Sequence, residues 1–313
     1  MSDWTPADIP DLSGRTALVT GANSGLGLVT ARELARKGAN VVMACRDPGR
    51  GGAAVDGVRA DVPGAEVRLE ALDLADLSSV SALAERLPEK RLDLLFNNAG
   101  IMAPPRNETA DGFELQFGTN HLGHFALTGL LLERLLAGPA PRVVSVTSGA
   151  HWIGSIDFDD LQSEKRYWRW TAYGQSKLAN LLFARELARR CEAAGTPLRS
   201  TAAHPGYSAT HLQTSGPTLG GGILNPIRKA SFGLFNKVAA QSDEMGALPQ
   251  LFAAFEEIPG GSLVGPDRFD QMAGHPKLVG SSGASKSTEA AGRLWDVSRE
   301  LTGVGFEALT PSG

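Results

Sequence analysis

Residues 16–27 read Thr16-Ala-Leu-Val-Thr-Gly-Ala-Asn-Ser-Gly-Leu-Gly27, a short apolar run followed at once by a glycine-rich turn. The run has the length and composition of a buried strand, and a helical pattern begins at the turn and continues to Arg36. Glycines here let the backbone approach a pyrophosphate, whose charge the first amides of the helix attract. The spacing differs from the usual G-x-G-x-x-G fingerprint, and a turn without ligand is the alternative. Predicted nucleotide contacts are Gly21, Asn23, Ser24, Gly25, Leu26 and Gly27.

Short apolar runs alternate with longer helical patterns from residue 15 to about residue 205. Strands joined by helices of this length make right-handed parallel crossovers, and the helices cover both faces of the sheet. The sequence therefore predicts one doubly wound α/β domain over residues 1–313, with a parallel sheet of about seven strands. The predicted strands span 16–20, 40–44, 67–72, 92–96, 142–146, 198–203 and 263–264, and the predicted helices span 25–36, 49–60, 77–87, 120–136, 173–191 and 289–301.

The character of the chain changes after His204-Pro-Gly206, where a Gly/Pro/Ser-rich segment leads into apolar residues mixed with basic ones over 223–240. Three interpretations fit this composition: a helix pair that completes the fold, a segment that covers the substrate, and a helix at a membrane surface. Within the single domain, residues 211–246 are predicted to be the substrate-covering segment.

Composition excludes several classes of protein. A net charge of −4 and a pI near 5.9 give no broad basic face for nucleic acid. The two cysteines are too few for a disulfide framework, and the acidic, polar first residues lack the features of a signal peptide. No apolar run approaches the ~18 residues that indicate a membrane-spanning helix. A cytoplasmic protein with a small-molecule substrate is expected, and a homo-oligomer stays open because the helix at 173–191 is long and amphipathic.

Tyr173 and Lys177 lie four residues apart at the start of a helical pattern, which places both on one helix face. An ammonium group close to a phenol lowers the pKa of the phenol by roughly 1 to 3 units, towards a range useful for acid and base catalysis. An exposed pair without a role is the alternative. The pair gains weight because the chain also offers a nucleotide site and, in Ser148, a hydroxyl donor.

The second predicted strand ends in Ala44-Cys-Arg46, about twenty residues after the glycine turn. An acidic residue at this point would bind the ribose 2′-hydroxyl of NAD, whereas an arginine binds the 2′-phosphate of NADP. Cys45 is not acidic, so Arg46 favours NADP, unless it merely lies in solvent. Asp73 ends the third strand, where its carboxylate accepts from an adenine amine or caps the next helix.

Polar residues also follow the fourth and fifth strands, in Phe96-Asn-Asn-Ala-Gly100 and at Ser148. Open parallel sheets bind ligands at this edge. The small residues there let the backbone pass beneath a cofactor, and Asn98 can connect neighbouring strands. A hydroxyl at Ser148 can donate to a developing alkoxide, although serine often only caps a turn at such positions.

The six histidines do not suggest a metal site, because His121 and His124 have no third ligand near them in sequence. The two are expected to be packed or exposed. His151 and His204 flank the predicted site, and a structural role is expected for each.

Together these motifs resemble the short-chain dehydrogenase/reductase family, in particular its retinol-dehydrogenase-like and protochlorophyllide-reductase-like branch. The resemblance extends over residues 12–212. It rests on Thr20-Gly-x-x-x-Gly-x-Gly27, Asn97-Asn-Ala-Gly100, Asn120-His-Leu-Gly-His-Phe125, Ser148, Tyr173 with Lys177, and His204-Pro-Gly206.

The resemblance implies a doubly wound (Rossmann) fold and a role for each matching residue. Tyr173 would exchange a proton with the substrate oxygen, Ser148 would polarise that oxygen, and Lys177 would lower the pKa of Tyr173 and hold the nicotinamide ribose. Asn120 would support a water that links the lysine to solvent. Beyond the glycine turn, the predicted cofactor contacts are Arg46, Asp73, Leu74, Asn98, Ala99, Gly100, Tyr173, Lys177, Pro205, Gly206 and Thr210.

The sequence thus predicts an NADP(H)-dependent oxidoreductase that transfers a hydride between nicotinamide and an alcohol or carbonyl substrate, with no metal. The aromatic residues near the site make an apolar substrate the expectation. A non-catalytic dinucleotide sensor or partner-binding module is the alternative. A methyltransferase of similar fold would not need a tyrosine and lysine pair.

Overall fold

In the computed structural model, which describes residues 3–206 and 241–309, the first strand ends at Thr20 and the first helix begins at Gly25, as the glycine turn predicts. The strands are β1 (Thr16–Thr20), β2 (Asn40–Cys45), β3 (Val67–Ala71), β4 (Leu94–Asn97), β5 (Arg142–Val146), β6 (Arg199–Ala203), β7 (Leu263–Arg268) and β8 (Ala273–Leu278). The α-helices are α1 (Gly25–Arg36), α2 (Pro48–Asp61), α3 (Leu77–Arg86), α4 (Leu115–Phe117), α5 (Gly123–Leu130), α6 (Leu132–Leu136), α7 (Arg169–Ala193), α8 (Asp243–Phe255) and α9 (Thr288–Thr302).

These strands form one sheet in the order β3-β2-β1-β4-β5-β6-β7-β8. The order reverses between β1 and β4, which makes a crevice at the carboxyl edge of the sheet where such folds bind ligands. Strands β1 to β7 pair in parallel, and the register aligns Val19 with Phe96 and Phe96 with Val144. The ends of β1, β4 and β5 therefore lie side by side. The doubly wound α/β fold is confirmed.

The sheet is covered on both faces, as its apolar strands require. Along β1 the side chains alternate, so that Val19 belongs to one buried cluster and Leu18 to the other. The Val19 cluster is completed by α1, α2 and α8, and the Leu18 cluster by α3, α5, α6, α7 and α9. Across residues 3–206 and 241–309, no helix combines the length and the apolar character that crossing a bilayer requires.

Two elements extend the predicted fold. Strand β8 pairs antiparallel with β7, so the sheet has eight strands among the described residues rather than about seven. Helix α8 packs against α1 on one face of the sheet. Most of the predicted substrate-covering segment, from residue 211 to residue 240, lies outside the described residues, and its last residues form the first turn of α8.

Candidate active site

The glycine turn between β1 and α1 lies at the crevice where the strand order reverses. Gly21 has a φ of +65°, and a Cβ atom there would come within 3.0 Å of Ala99. At Gly27 a Cβ atom would lie 2.5 Å from the carbonyl oxygen of Gly21 and 2.5 Å from the side-chain nitrogen Nδ2 of Asn98. Ser24 precedes the helix with extended backbone, and its side chain makes no capping hydrogen bond. The backbone of the turn therefore lies close to the start of α1, as the pyrophosphate site of a dinucleotide requires.

The end of β2 contains Cys45 and Arg46, the two residues that are relevant to the choice between NAD and NADP as cofactor. Cys45 is buried, and the backbone amides of Ala22 and Asn23 contact its sulfur. Burial raises the pKa of the Cys45 thiol to about 11, so no negative charge stands there at neutral pH. Arg46 is exposed, and within residues 3–206 and 241–309 its side chain makes no hydrogen bond or ion pair. Its guanidinium is thus available to an anionic ligand beside the glycine turn.

Asp73, which follows β3, does not cap the next helix. Its carboxylate accepts from the amide of Ala75 at 2.9 Å, whereas Asp76 accepts from the first amides of α3, at 2.9 Å from Ser78 and 3.3 Å from Ser79. The capping alternative for Asp73 is therefore wrong, and contact with an adenine stays a prediction. Leu74 packs closely on Gly123, where a Cβ atom would meet the Leu74 carbonyl oxygen at 2.4 Å.

Asn98, Ala99 and Gly100 follow β4 and contact both neighbouring motifs. The Asn98 side chain donates to the carbonyl oxygen of Thr20 at 2.7 Å, so the predicted connection between strands is confirmed. A Cβ atom at Gly100 would lie 3.1 Å from Asn120 Oδ1 and 3.2 Å from Lys177 Nζ. Glycine at this position thus allows two of the predicted catalytic side chains to reach the end of β4.

Ser148 and Tyr173 meet at the end of β5. Ser148 accepts from the amide of Ala150 at 3.2 Å, and its hydroxyl lies close enough to the phenol of Tyr173 to lower the pKa of that phenol. Tyr173 is buried on α7, with 5% of its surface exposed. A substrate oxygen that reached this point would meet two hydroxyl donors.

The expected lowering of the Tyr173 pKa is wrong for this arrangement of the chain's own groups. Burial raises the pKa of Tyr173 to about 12, because the phenolate would lose its hydration, and the nearby hydroxyl of Ser148 offsets only part of this. Lys177 Nζ lies 5.9 Å from the centroid of the Tyr173 ring and donates to the carbonyl oxygen of Val146 at 3.1 Å. Burial also lowers the pKa of Lys177 to about 8.

Asn120 lies in a π-helical turn, Gly118–Leu122, that interrupts the helix between α4 and α5. Such turns often mark functional positions. Its side-chain amide accepts from the amide of Ile101 at 2.8 Å, donates to the carbonyl oxygen of Ile101 at 3.0 Å, and donates to Ser176 Oγ at 2.9 Å. Asn120 therefore fixes the chain after β4 against helix α7.

The turn after β6 is braced by the β7–β8 hairpin. Gly206 has a φ of +68°, and a Cβ atom there would lie 2.4 Å from the carbonyl oxygen of Met272. His204 Nε2 lies 2.9 Å from Gln271 Oε1, and the Gln241 side chain donates to the carbonyl oxygen of Pro205. This supports the structural role expected for His204. The predicted contact Thr210 lies outside the described residues.

The contacts of several polar residues around the site were not predicted. Thr147 donates to the carbonyl oxygen of Lys177 at 2.7 Å, and Asn180 donates to that of Val146 at 3.1 Å, so both tie α7 to the end of β5. His151 Nδ1 lies 2.7 Å from the carbonyl oxygen of Ser148. His124 contacts both Thr20 and Asn120. The sequence shows that these residues are polar, but only their burial shows that each needs a partner.

His121 and His124 are packed rather than exposed, and both are at most 2% exposed. Burial lowers the pKa of His121 to about 3 and that of His124 to about 4, so both are neutral at pH 7. Among residues 3–206 and 241–309 there is no group of three or more His, Cys, Asp or Glu side chains suited to a metal ion.

The doubly wound sheet and the glycine turn at its crevice define a dinucleotide-binding α/β protein. Residues 15–218 match the short chain dehydrogenase family model, and the chain therefore belongs to the short-chain dehydrogenase/reductase family. Membership makes it a hydride-transfer oxidoreductase that acts on alcohol or carbonyl groups of small molecules with a nicotinamide dinucleotide.

Individual relatives agree with this family. The chain is 42% identical to retinol dehydrogenase 12 of Mus musculus over 95% of its own length and 89% of the relative's. A protein of uncharacterized function from Mycobacterium paratuberculosis has a crystal structure that is 47% identical, with a TM-score of 0.81 over 97% of this chain and 99% of that one. A proposed NAD(P)-dependent gluconate 5-dehydrogenase from Beutenbergia cavernae, solved with NADP at low occupancy, is 26% identical, with a TM-score of 0.61 over 81% of this chain and 95% of that one. The retinol-dehydrogenase-like branch predicted from the motifs is confirmed.

Proposed function

We propose that this protein is an NADP(H)-dependent alcohol dehydrogenase or carbonyl reductase with an apolar substrate. Tyr173 exchanges the proton with the substrate oxygen, Ser148 donates a hydrogen bond to that oxygen, and Lys177 binds the nicotinamide ribose. The closeness of the Ser148 and Tyr173 hydroxyls at the end of β5 carries the proposal, because it places two hydroxyl groups at one point beside the crevice. When bound, the nicotinamide supplies or accepts the hydride.

In the direction of carbonyl reduction, Tyr173 is the proton donor. With the pKa of Tyr173 raised to about 12, the phenol is protonated at neutral pH and can donate to the oxygen as negative charge develops on it. Ser148 stabilises the same charge by hydrogen bonding. Alcohol oxidation would require the phenolate instead, which burial disfavours.

Arg46 and Cys45 support NADP as the preferred cofactor. Arg46 is exposed and unpaired within the described ranges, and it follows the strand end where a 2′-phosphate would lie. Cys45 is neutral, so it neither repels that phosphate nor accepts from a 2′-hydroxyl as a carboxylate would. The NADP reported for the Beutenbergia relative agrees with this preference.

An apolar substrate is supported by the aromatic residues beside Tyr173. The ring of Trp170 lies 6.3 Å from the ring of Tyr173, and Trp152 and Trp168 are about half exposed near the same end of the sheet. The retinol in the name of the mouse relative is an apolar alcohol with one reacting oxygen.

The cytoplasmic location predicted from composition stays a prediction.

Oxidation of NADPH in the presence of a panel of carbonyl compounds tests the proposal. The panel should contain long-chain and aromatic aldehydes and ketones, together with small charged oxo acids of matched reactivity. We expect turnover of the apolar members with NADPH and slower turnover with NADH. Tight dinucleotide binding without any turnover would favour the sensor function instead, and a preference for small oxo acids would contradict the apolar site.

A further inference from the structure

His124 is a buried imidazole whose two nitrogens both have partners in motifs of the site. It lies on α5, directly after the π-helical turn that contains Asn120. Its Nδ1 lies 2.9 Å from the carbonyl oxygen of Asn120, and its Nε2 lies 2.9 Å from Thr20 Oγ1. Because 2% of its surface is exposed, neither contact competes with bulk water.

These contacts define where the protons lie. A carbonyl oxygen only accepts hydrogen bonds, so Nδ1 of His124 must carry the proton that faces Asn120. Burial and the nearby charge of Lys177 lower the pKa of His124 to about 4, and a neutral imidazole has a single N–H. Nε2 therefore accepts, and the hydroxyl of Thr20 donates to it. The opposite tautomer would direct the lone pair of Nδ1 at a carbonyl oxygen.

Thr20 extends the arrangement to the end of β4. With its proton directed to His124, the Thr20 oxygen still accepts from the amides of Asn98 and Ala99, each at 2.9 Å. The hydroxyl proton of Thr20 has two acceptors within reach. The carbonyl oxygen of Phe96, at 3.2 Å, is farther from Thr20 Oγ1 than His124 Nε2, at 2.9 Å. A single hydroxyl thus joins the glycine turn to the two predicted cofactor residues after β4.

Asn120 extends the arrangement in the other direction, towards the tyrosine. Its side-chain nitrogen donates to Ser176 Oγ at 2.9 Å, and Ser176 Oγ donates to the carbonyl oxygen of Tyr173 at 2.8 Å. The connection from Thr20 through His124 and Asn120 is therefore continuous up to the main chain of Tyr173. Every donor and acceptor in it is buried or half-buried.

We propose that His124 is a positioning residue that connects the dinucleotide site to the catalytic tyrosine, through the Nδ1 contact with Asn120 on one side and the Nε2 contact with Thr20 on the other. The proposal rests on the function proposed above for Tyr173. It assigns a separate effect to each nitrogen of His124. Nε2 holds Thr20 in place and so strengthens cofactor binding, whereas Nδ1 holds Asn120 in place and so raises the rate of turnover.

Two conservative variants separate these effects. In His124→Asn the side-chain amide can still donate to the carbonyl oxygen of Asn120, and in His124→Gln the longer side chain can still accept from Thr20. We measure NADPH Kd by fluorescence titration without substrate, and kcat with an active carbonyl compound. His124→Asn should raise Kd about tenfold and keep kcat within about threefold of the parent, whereas His124→Gln should keep Kd and lower kcat about tenfold.

His121 provides a matched control on the same helical segment. It is also a buried, neutral histidine, but its Nε2 lies 2.8 Å from Ser298 Oγ, away from the cofactor motifs. His121→Gln should lower the resistance to urea while Kd and kcat stay within about twofold. If both His124 variants change Kd and kcat together, in proportion to their loss of stability, His124 is only structural and the proposal is overturned.

Thr20 gives a second route that leaves the histidine in place. Thr20→Val removes the hydroxyl, and with it the acceptor for the amides of Asn98 and Ala99, so it should raise NADPH Kd at least as much as His124→Asn does, and Thr20→Ser should restore the parent value. The Thr20→Val effect should be smaller in the His124→Asn background than in the parent, because both changes remove the hydrogen bond between Thr20 and His124. Full additivity of the two effects would overturn the proposal.

The tautomer of His124 is measurable without cofactor or substrate. Nitrogen-15 NMR of the imidazoles, with His124 assigned by its loss in His124→Asn, should show the neutral Nδ1–H form from pH 5.5 to pH 8. An Nε2–H form would overturn the proposal. If the parent does not bind NADPH, the proposed function is contradicted. The tautomer of His124 would still test the hydrogen bonds assigned to its two nitrogens.

Discussion

Lys177 Nζ donates to the carbonyl oxygen of Val146 at 3.1 Å and lies 5.9 Å from the ring centroid of Tyr173. The ammonium is therefore held at the end of β5, next to the phenol but hydrogen-bonded to the main chain. Asn180 Nδ2 donates to the same carbonyl oxygen, also at 3.1 Å. This fixed position beside Gly100 supports the ribose contact that is proposed for Lys177.

Replacing Lys177 by alanine should weaken NADPH binding about tenfold and lower turnover by at least a hundredfold. In the proposed function the same ammonium binds the ribose and lies beside the phenol of Tyr173, so its loss affects both steps. Fluorescence titration and steady-state kinetics measure the two effects. Asn180→Ala is the control, since it removes a hydrogen bond to the same carbonyl oxygen and leaves the ammonium. A Lys177→Ala enzyme with parental NADPH affinity would argue against ribose binding.

Arg46→Ala should remove the preference for NADP. A charge-assisted hydrogen bond to the 2′-phosphate is worth about 1.5 to 3 kcal/mol, so NADP should bind the parent roughly tenfold or more tightly than NAD. Titration of both cofactors against parent and variant measures this. Lys90→Ala controls for the loss of one exposed positive charge elsewhere. If the parent has no preference, or the variant keeps it, Arg46 does not recognise the phosphate.

Acid should destabilise the fold through its buried histidines. Burial lowers the pKa of His121 to about 3 and the pKa of His124 and of His204 to about 4. Between about pH 4 and pH 6.5 the unfolded chain binds more protons at these residues than the folded chain does, so stability rises with pH and falls on acidification.

At pH 5.5 each such histidine should reduce the free energy of unfolding by roughly 1 kcal/mol relative to pH 7.5. Urea unfolding of the parent and of His121→Gln at the two pH values tests this. The loss of stability on acidification should be smaller in the variant by about that amount. Equal losses in the two proteins would show that His121 is protonated in the folded state.

The sequence predicted the first six strands and the positions of the motifs well, because each buried strand is an apolar run and each crossover is a clear helical pattern. Strand β8 was missed for a physical reason. Pro266 on β7 and Pro276 on β8 face each other across the pair, and proline normally argues against a strand. Pro276 is tolerated because β8 is an edge strand, and Pro266 lies beyond Leu263 and Val264, the residues of β7 that pair with β6.

Helix α8 was missed for a similar reason, since Pro249 lies inside it. Its buried residues Leu248 and Leu251 pack in the cluster that contains α1, and this packing outweighs the loss of one backbone hydrogen bond. Sequence patterns weigh local preference and do not include the energy of such tertiary contacts.

The four predicted catalytic residues were assigned from spacing and family resemblance, and the structure brings them together at one edge of the sheet. Their electrostatics could not be predicted in the same way. The pKa of Tyr173 depends on how deeply the phenol is buried, and the pKa of His124 depends on its own burial and on the charge of Lys177, which lies on a different helix. Neither quantity is visible in a local pattern.

The turnover of Tyr173→Phe tests the central claim most directly. Tyr167→Phe is the matched control, because Tyr167 is also a phenol whose pKa is raised to about 12 by burial, but it donates to the carbonyl oxygen of Pro104 at 2.8 Å. With NADPH and an active carbonyl compound, Tyr173→Phe should lower kcat by two or more orders of magnitude and leave NADPH Kd nearly unchanged. Tyr167→Phe should retain parental kcat. Comparable kcat values for Tyr173→Phe and the parent would contradict the assignment of Tyr173 as the acid.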